Sequence, residues 1–419
     1  MPASCAIDFG TSNTTVALCQ HGEVRQLAID PASPEPERMP TLLYFPPEGP
    51  AVYGAGAVDA WLAEERQGRL IQSIKRYLPS SGFEGTLVGG TVMGIEALIG
   101  GFLAACKHQV DLAAGENVTR VILGRPAQFG TTPDRDKLAQ DRLWTAARRA
   151  GFRDIGFQVE PVAAARSFER SLDRDVLCLV GDLGGGTSDF TVIKLGPGRI
   201  GTDRSGDVLG VAGVDIAGND FDARIVYKKV APYLGLFAKY KLEDRWVEVP
   251  TTLHHAVTRW HSLCHAKTDK NLRLLERMLR FGDDKPALAR LQEMVVDDHG
   301  FHLFRAVEAT KVALSDQLDT TLSFHAGSIA LDAPMSRDEL DAALALDIRE
   351  LEKVLDGLLG RLELRPDDID VVFLTGGTSR TLRVQRMFEE RFPSRVVSRD
   401  VFTSIGYGLG IEAAERYAS

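Results

Sequence analysis

The chain contains two stretches in which an aspartate, glycines and hydroxyl residues interrupt an apolar run. The longer one, Val180–Val192, contains Asp182, a triple glycine at 184–186, Thr187 and Asp189. Consecutive glycines leave backbone N–H groups uncovered on one side of a turn, where they can donate to an anion. Carboxylate and hydroxyl oxygens are ligands that a hydrated Mg²⁺ accepts. The stretch therefore predicts a phosphate-binding turn between two strands, and an ordinary glycine-rich hairpin is the alternative.

The N-terminus repeats this pattern. Residues 6–18 contain an apolar strand, Asp8, Gly10 and a hydroxyl-rich turn, and this turn reads as two residues shorter than the one after Asp182. Asp8 and Asp182 are 174 residues apart. Two such distant copies predict a chain built from two related halves, each of which contributes one turn to a shared ligand.

The periodicity of apolar residues predicts the elements that position the first turn. A three-stranded meander is expected over residues 5–29, and helices are expected over 96–112 and 134–150. Gly151 is a typical stop signal for the second helix. Glu160 falls between a short strand and an alanine-rich helix that begins with proline, where its carboxylate would at least complement the helix dipole.

In the second half, strands are expected over 190–195 and 207–212, beside the triple glycine. Residues 221–319 have an almost wholly helical pattern. Ser336 and Glu339 form a capping box for a helix that ends near Glu363. A buried strand then leads to the Gly376–Gly377 turn, and a last helix follows Asp400.

Two local patterns have competing interpretations. By frequency alone, Lys75 would lie on a solvated helix face. His254, His261 and His265 share a face if residues 254–265 form one helix, and His261, Cys264 and His265 would then be candidate Zn²⁺ ligands. A packed or partly exposed helix face is favoured, because one helix rarely supplies enough ligands in a tetrahedral arrangement.

Two nucleotide motifs are excluded. Gly196–Gly201 matches Gly-x-Gly-x-x-Gly formally, but no helical pattern follows it, so a hairpin loop is predicted. No Gly-x-x-x-x-Gly-Lys-Ser/Thr sequence is present, which rules out a P-loop.

Composition limits the class of protein. With 419 residues, 44% hydrophobic and 26% charged, the chain is expected to be globular, with about two to four domain-sized units. The net charge of −9 without a long basic tract argues against nucleic-acid binding. We expect no membrane span, because no apolar run is long enough. No signal peptide is visible, and five scattered cysteines do not form a disulfide framework, so a cytoplasmic protein is expected.

Taken together, the motifs resemble the nucleotide-binding half of DnaK-type heat-shock chaperones, within the actin, sugar-kinase and heat-shock ATPase superfamily. The matching segments occur in family order over nearly the whole chain. The strong matches are Ile7–Asn13, Glu160–Ala165, Asp182–Asp189 and Gly376–Arg380; the weaker ones are Lys75–Leu78, Ala217–Asp222 and Glu308–Ser315.

The resemblance implies an α/β fold of two actin-like lobes, which are duplicated ribonuclease H-like domains with mixed sheets flanked by helices. Lobe I would cover 1–170, with a small subdomain at about 37–95. Lobe II would cover 171–403, with an enlarged helical insert at about 223–306, and a closing helix over 404–419 would pack back on lobe I.

The resemblance also implies roles for individual residues around ATP or ADP and Mg²⁺. The metal would be held largely through water by Asp8, Asp182, Asp189 and Glu160. Lys75 would position the attacking water and stabilise the transferring phosphoryl group, with Glu160 ordering metal-bound water. The phosphates would be bound by Gly10, Thr11, Ser12, Asn13, Gly184, Gly185, Gly186 and Thr187.

The adenosine side would be formed by residues from the second half of the chain: Glu308, Lys311, Ser315, Gly376, Gly377, Thr378, Arg380 and Asp400. The family usually has an arginine that stacks on adenine where this chain has Val312, which leaves Arg380 as the cationic partner and predicts weaker adenine binding. Pro126 falls where the family has a proline thought to relay the nucleotide state between lobes.

The resemblance favours a slowly hydrolysing ATPase that acts as a nucleotide-dependent conformational switch. A filament-forming actin-like ATPase, a small-molecule kinase and an inactive relative are the alternatives. The chain stops at Ser419 after the closing helix, so no peptide-binding domain is expected. A protein partner or co-chaperone is expected to bind through 223–306, and a monomer is expected.

Overall fold

The computed structural model describes residues 2–130, 132–200, 206–263, 266–398 and 404–417. The chain divides into two compact units. The first contains Met1–Asp215, Leu351–Ser379 and Gln385–Ser419, and the second contains Ile216–Glu350 and Arg380–Val384.

The strands of the described residues are, in chain order, β1 Ser4–Phe9, β2 Asn13–Gln20, β3 Glu23–Gln26, β4 Met39–Pro40, β5 Leu42–Phe45, β6 Val52–Tyr53, β7 Arg69–Gln72, β8 Gly85–Val88, β9 Thr91–Gly94, β10 Arg120–Arg125, β11 Asp154–Val159, β12 Val176–Leu183, β13 Ser188–Leu195, β14 Val208–Val214, β15 Lys239–Leu242, β16 Arg245–Glu248, β17 Asp319–Ala326, β18 Ile329–Ser336, β19 Val371–Thr375 and β20 Val396–Ser398.

The helices of the same residues are α1 Gly56–Ala63, α2 Ile95–Ala114, α3 Pro133–Arg149, α4 Glu160–Glu169, α5 Gly218–Ile225, α6 Thr251–Thr258, α7 Trp260–Leu263, α8 Asp269–Phe281, α9 Lys285–Val296, α10 Gly300–Asp316, α11 Arg337–Arg361, α12 Leu382–Arg391 and α13 Ser404–Arg416. Short 3₁₀ turns cover Ile74–Tyr77, Pro197–Arg199, Pro366–Asp368 and Gly377–Arg380, and a π-helical turn covers Val226–Val230.

The first unit contains two sheets with the same order of strands. One has the order β3-β2-β1-β10-β11, with β4 added beside β2, and the other has the order β14-β13-β12-β19-β20. In each sheet the three strands that come first along the chain, β1–β3 and β12–β14, form an antiparallel meander. The two later strands of each sheet run parallel to β1 or to β12. Each sheet therefore places one glycine turn between its two longest antiparallel strands.

The two glycine turns have the same length. Phe9 pairs with Thr14 across the first turn, and Leu183 pairs with Ser188 across the second, so each pairing encloses four residues. The prediction that the first turn is two residues shorter is therefore wrong. Residue types misjudged the strand ends, because the residues that close each turn are set by backbone pairing between the two strands.

Helices cover both faces of the first sheet. On one face, α2 packs on β2 and on α3, and both helices contribute to a large apolar core that includes Phe9 and Phe102. On the other face, α13 packs on β1, β2 and α4, and α4 also contacts β12 and β13 of the second sheet. A second apolar core, containing Ala163 and Leu409, fills this layer.

The second unit consists of helices α5–α10, the N-terminal part of α11 and two antiparallel hairpins, β15–β16 and β17–β18. The prediction of an almost wholly helical segment over 221–319 is wrong at 239–248, where β15 and β16 form. Tyr240 pairs with Val247 on the more buried face, and Glu243 has a φ of +55° in the turn. Each strand has only four residues, too few for a clear alternating signal.

The structure agrees with several boundary signals of the sequence. Helix α3 ends at Arg149, and Gly151 follows with a φ of +101°. Ser336 and Glu339 exchange the two hydrogen bonds of a capping box at the start of α11. Among the described residues, no helix is both long and apolar enough to span a bilayer.

Candidate functional site

The two glycine turns touch each other. A Cβ atom on Gly186 would lie 3.1 Å from Thr11 Oγ1 and 3.2 Å from Thr11 Cγ2. Contacts this short are tighter than those of most real side chains, so the absent side chain of Gly186 lets the second turn approach the first. The residues predicted to form two halves of one phosphate site therefore lie side by side.

The first turn is held by its own backbone and by one threonine from outside it. A Cβ atom on Gly10 would lie only 2.2 Å from the carbonyl oxygen of Asn13, so the chain folds back on itself there. Thr41 N donates to the Ser12 carbonyl at 2.8 Å, and Thr41 Oγ1 donates to the Gly10 carbonyl at 2.9 Å. Thr41 could not be predicted from local sequence patterns, because its contacts join segments that are distant along the chain.

The second turn is braced by the predicted Gly376–Gly377 turn. Gly184 N donates to the Thr187 carbonyl at 3.0 Å, which closes the turn. Thr378 Oγ1 donates to the Gly184 carbonyl at 2.6 Å. Gly376 has a φ of +81°, and a Cβ atom there would lie 2.2 Å from the Leu183 carbonyl oxygen. This position therefore requires glycine both for its conformation and for its space.

Three aspartates lie at the strand ends beside these turns. Asp182 and Asp189 face each other across the β12–β13 pairing, and their exposed fractions are 6% and 2%. Asp8 is the equivalent of Asp182 at the end of β1. A Cβ atom on Gly213 would lie 2.6 Å from Asp189 Oδ1, so the bare backbone of β14 makes room for this carboxylate. A glycine inside a strand is a signal of such a close approach, so Gly213 could have been predicted from the sequence.

Lys75 and Glu160 form a buried ion pair in the same region. The distance from Lys75 Nζ to Glu160 Oε1 is 2.7 Å, and the two side chains are 9% and 10% exposed. Lys75 lies on the 3₁₀ turn after β7 and also faces the ring of Phe129, 6.0 Å from its centroid. The interpretation of Lys75 as a solvated helix residue is therefore wrong, because its partner Glu160, 85 residues away, compensates the burial of the ammonium group.

The carboxylates of this site strongly influence one another. Burial raises the pKa of Asp182 well above its ordinary value, and the charges of Glu160 and Asp189 raise it further. Burial also raises the pKa of Asp8, with added contributions from Glu160 and Asp182. Burial and the charge of Glu160 raise the pKa of Asp189 to about 7. Burial alone would lower the pKa of Lys75, but Glu160 and Asp8 outweigh it and raise this pKa.

This donor set fits a hard divalent cation. Carboxylate oxygens are preferred ligands of Mg²⁺. The ammonium of Lys75 pairs with Glu160 and its charge lowers the pKa values of Asp8, Asp182 and Asp189, so among the described residues one ammonium group compensates four carboxylates. Excess negative charge in a buried site is costly unless a cation compensates it. Asp8, Asp182 and Asp189 could hold such a cation largely through water, because their carboxylate oxygens do not form one of the close ligand groups of the described residues. The two adjacent turns could bind an anion through backbone N–H groups.

The residues predicted for the adenosine side are divided between the two units. Gly376, Gly377 and Thr378 belong to the first unit. Glu308, Lys311 and Ser315 follow one face of α10 in the second unit, to which Arg380 also belongs. The α10 face contains one strong contact, since Lys311 Nζ lies 2.7 Å from Asp222 Oδ1. Val312 is 57% exposed.

Some predicted residues lie outside the part of the chain that the structure describes. These are Asp400 and two of the candidate zinc ligands, Cys264 and His265. The single helix that would align the histidines is interrupted, because α6 ends at Thr258 and Arg259 has an extended conformation before α7 begins. The prediction that His254 and His261 share one helix face is therefore wrong.

Fold and site together define a class of protein. Mixed α/β sheets flanked by helices, with two touching glycine turns beside a buried carboxylate cluster, are compatible with a two-lobed actin-like ATPase.

Comparison with known proteins agrees with this class. No protein-family model matches the chain. The chaperone protein DnaK of Thermosipho africanus (strain TCF52B) is 26% identical to it over 424 residues, and DnaK of Thermosipho melanesiensis (strain DSM 12029 / CIP 104789 / BI429) is 24% identical over 422 residues. Each match covers 97% of this chain and 58% of the relative. The resemblance predicted from the motifs is confirmed, since 97% of the chain is similar to DnaK-type chaperones.

Proposed function

We propose that this protein binds ATP with Mg²⁺ and hydrolyses it slowly, and that it uses the exchange between ATP and ADP as a conformational switch. One observation carries the proposal: the two glycine turns touch at Gly186 and Thr11, beside three aspartates, two of them buried, and the Lys75–Glu160 pair. This arrangement combines backbone N–H groups that can donate to an anion, carboxylates that can bind a cation, and one buried ammonium. Catalysis of phosphoryl transfer depends mainly on the positioning of the reacting groups and on electrostatic stabilisation of the transferred phosphoryl group.

The identical order of the two sheets supports the finer prediction of two duplicated ribonuclease H-like lobes. We retain the proposed boundaries, with lobe I over 1–170, lobe II over 171–403 and a closing helix over 404–419. In this assignment, each lobe supplies one sheet, one aspartate-ended strand and one glycine turn.

The proposed chemistry assigns one task to each group. Bound Mg²⁺ would supply positive charge to the phosphate oxygens, and Asp8, Asp182 and Asp189 would hold it largely through water. The ammonium of Lys75 would orient the attacking water and stabilise charge on the transferred phosphoryl group. Water attacks the terminal phosphorus, the bond to the bridging oxygen of ADP breaks, and ADP and phosphate are the products. Glu160 would hold Lys75 and order nearby water.

The proposed base-binding residues are Glu308, Lys311 and Ser315 on α10, with Gly376, Gly377, Thr378, Arg380 and Asp400. The spacing of the α10 residues supports a shared face, and Asp222 holds Lys311 in position. Because Val312 cannot stack as a guanidinium does, we propose that Arg380 supplies the cationic contact to adenine. Loss of such a stack weakens binding by about 0.5–2 kcal/mol.

We propose that the conformational switch acts on a protein partner that binds a surface formed by residues 223–306. This segment contains 15 Lys and Arg residues against 10 Asp and Glu, a net charge of +5 in a chain of −9. It also exposes large aromatic side chains, which are enriched at protein interfaces; they are Tyr227 (51%), Phe237 (48%), Trp246 (53%) and Phe281 (46%). Basic charge with exposed aromatics favours an acidic protein partner.

The proposed nucleotide function is tested by calorimetry and phosphate release. Titration of ATP into the protein should give saturable binding with Mg²⁺, and phosphate release should be slow and should not require a metabolite. Neither binding nor release would contradict the function and favour an inactive relative. Strong stimulation by a sugar or similar hydroxyl compound would favour the kinase alternative. ATP-dependent pelleting would favour the filament-forming alternative over the monomer that we propose.

The partner surface is tested separately with Trp246→Ser. The Trp246 side chain is half exposed on a two-stranded hairpin, so the change should leave ATP binding intact. Partners captured by the wild type in a salt-sensitive manner should be lost with this variant. Equal capture by both proteins would contradict a partner site on this hairpin.

A further inference from the structure

One arginine on α3 forms hydrogen bonds to the loop that follows the turn containing Lys75. The guanidinium of Arg142 donates to four backbone carbonyls of this loop, those of Tyr77 (3.3 Å), Leu78 (3.0 Å), Ser80 (2.9 Å) and Phe83 (3.1 Å). Its side chain is only 11% exposed, and Glu96 Oε1 lies 3.6 Å from Nε. Four carbonyls of the 77–83 loop therefore accept hydrogen bonds from a single side chain.

This loop is directly connected to the position of Lys75. Ser73 has a φ of +52°, which is unfavourable for a serine, and the 3₁₀ turn starts at the next residue. Leu78 N donates to the Lys75 carbonyl at 3.1 Å, while the Leu78 carbonyl accepts from Arg142. One residue thus links the backbone of Lys75 to the guanidinium.

The contacts require an arginine. A guanidinium has five N–H donors in a rigid planar fork, whereas an ammonium has three donors on a flexible stem and cannot span four separated carbonyls. The stacked rings of Tyr77 and Phe83, with centroids 4.6 Å apart, close the loop around this fork. The Tyr77 and Ser80 carbonyls also accept from backbone N–H groups, at 3.1 Å each. Loss of the fork would remove one donor from each of the four carbonyls and would loosen the loop that follows the Lys75 turn.

We propose that Arg142 is a positioning residue for Lys75. It fixes the 77–83 loop, and through Leu78 it fixes the backbone from which the Lys75 ammonium reaches Glu160. The inference rests on the proposed function of Lys75 in ATP hydrolysis. A displacement of about 1 Å at a reacting group can lower a rate by about 10²-fold, so loss of the arginine fork should act on the chemical step.

The test compares two arginine-to-lysine changes on the same helix. Arg142→Lys keeps the charge but removes the fork. Arg148→Lys is the matched control, because Arg148 donates to the Arg153 carbonyl at 3.2 Å. The described hydrogen bonds from arginines of α3 to the 77–83 loop come from Arg142. The turnover number and KM for MgATP are measured for both variants, for Lys75→Met and for the Arg142→Lys/Lys75→Met double variant, with MgATP binding as the check on folding.

We expect Arg142→Lys to lower kcat by about 10- to 100-fold with KM within about threefold, and Arg148→Lys to behave as the wild type. In the Lys75→Met background, Arg142→Lys should cause no further loss, because Arg142 acts through Lys75. Wild-type turnover in Arg142→Lys, or an equal further loss in the double variant, would overturn the inference and leave the ATPase proposal intact. Absence of turnover in the wild type would overturn both.

Discussion

At the scale of single residues, the candidate site depends on one ammonium group among four carboxylates. The Lys75–Glu160 pair has a distance of 2.7 Å with little exposure of either side chain. Removal of one partner from such a pair leaves an uncompensated buried charge, which costs several kcal/mol. The same ammonium is the group that we propose to contact the phosphoryl oxygens. Lys75 would therefore both stabilise the nucleotide-free site and take part in the proposed reaction.

We expect Lys75→Met to lower the rate of ATP hydrolysis by about 10²–10³-fold, because the variant lacks the positive charge that stabilises the transferring group. MgATP affinity should change less than about tenfold, since the aspartates and both turns remain. Single-turnover hydrolysis of radiolabelled ATP and calorimetry measure the two quantities. Lys107→Met is the matched control, because Lys107 is also buried and paired, with Asp111 at 2.7 Å.

The Lys107→Met protein should hydrolyse ATP at the wild-type rate, although its stability should fall. If Lys75→Met also hydrolysed ATP at the wild-type rate, Lys75 would have only a structural role. If both variants lost turnover to the same extent, the loss would reflect general disruption of the first unit.

The two glycine turns give a second prediction at this scale. Gly10 and Gly184 each directly follow a strand whose second-to-last residue is aspartate, but only Gly10 is crowded by backbone. A Cβ atom would lie 2.2 Å from the Asn13 carbonyl oxygen at Gly10, whereas the nearest atom at Gly184 is 3.6 Å away. We expect Gly10→Ala to reduce the free energy of unfolding by about 1–3 kcal/mol and Gly184→Ala to change it by less than about 0.5 kcal/mol.

Urea unfolding without nucleotide measures this difference. Equal losses in the two alanine variants would mean that the first turn relaxes around a methyl group. That result would argue that its tight geometry is not required for folding.

The residues of the site differ in how far the sequence could predict them. Asp8 and Asp182 were found because each ends a recognisable strand before a glycine turn. Lys75 was found only through resemblance, since its burial depends on a distant carboxylate that no local pattern reveals. Arg142 was missed because its contacts join segments brought together by folding, and its own neighbours in sequence carry no sign of them. Gly213 was missed although a glycine within a strand is a signal of close approach, because the atom that approaches it belongs to another strand.

At the scale of secondary-structure elements, the closeness of α13 to α4 and to the first sheet depends on small residues. A Cβ atom on Gly408 would lie 1.8 Å from the Ala163 carbonyl oxygen, and one on Gly410 would lie 2.4 Å from Val24 Cγ1. The facing residues Ala163, Ala164 and Ala165 are fully buried. The glycines of α13 therefore let it approach the backbone of α4, which begins at Glu160.

We expect Gly408→Ala to destabilise the first unit by about 1–3 kcal/mol, because the new methyl group meets backbone and not a flexible side chain. Gly360→Ala in α11 is the matched control, since a Cβ atom there would have nothing within 4 Å. In that helix, alanine should instead stabilise by about 0.5–1 kcal/mol. Unfolding in urea, followed by circular dichroism, measures both; a stabilising Gly408→Ala would disprove the close packing.

The elements were predicted best where periodicity persists over many residues. Helices α2 and α3 and the strands beside both turns have long apolar patterns and clear stop signals. The β15–β16 hairpin was missed because two four-residue strands fit within a helical background. The break at Arg259 was missed because neither glycine nor proline marks it. The order of strands in the two sheets depends on long-range pairing, which no single segment determines.

At the scale of the whole molecule, charge is distributed unevenly. Residues 223–306 carry a net charge of +5, so the remainder of a chain of −9 carries −14. The buried aspartates belong to this acidic remainder, and a bare triphosphate would be repelled by them. Any binding of ATP by this protein should therefore depend strongly on a divalent cation, beyond the usual effect of the cation on the nucleotide itself.

This dependence can be measured through stability. A ligand that binds only the folded protein raises the free energy of unfolding by about 2.7 kcal/mol at a concentration 100 times its Kd. We expect ATP with Mg²⁺ to raise the thermal midpoint by several degrees, and ATP with EDTA to leave it unchanged, because Asp8, Asp182 and Asp189 then face the phosphates without a cation.

AMP with Mg²⁺ is the matched control, since it lacks the phosphates that the two turns would bind. Lys75→Met should keep the stabilisation by MgATP, as its defect lies in turnover. Equal stabilisation by ATP with and without Mg²⁺ would show that the aspartate cluster does not hold the metal, even if the turns bind the nucleotide.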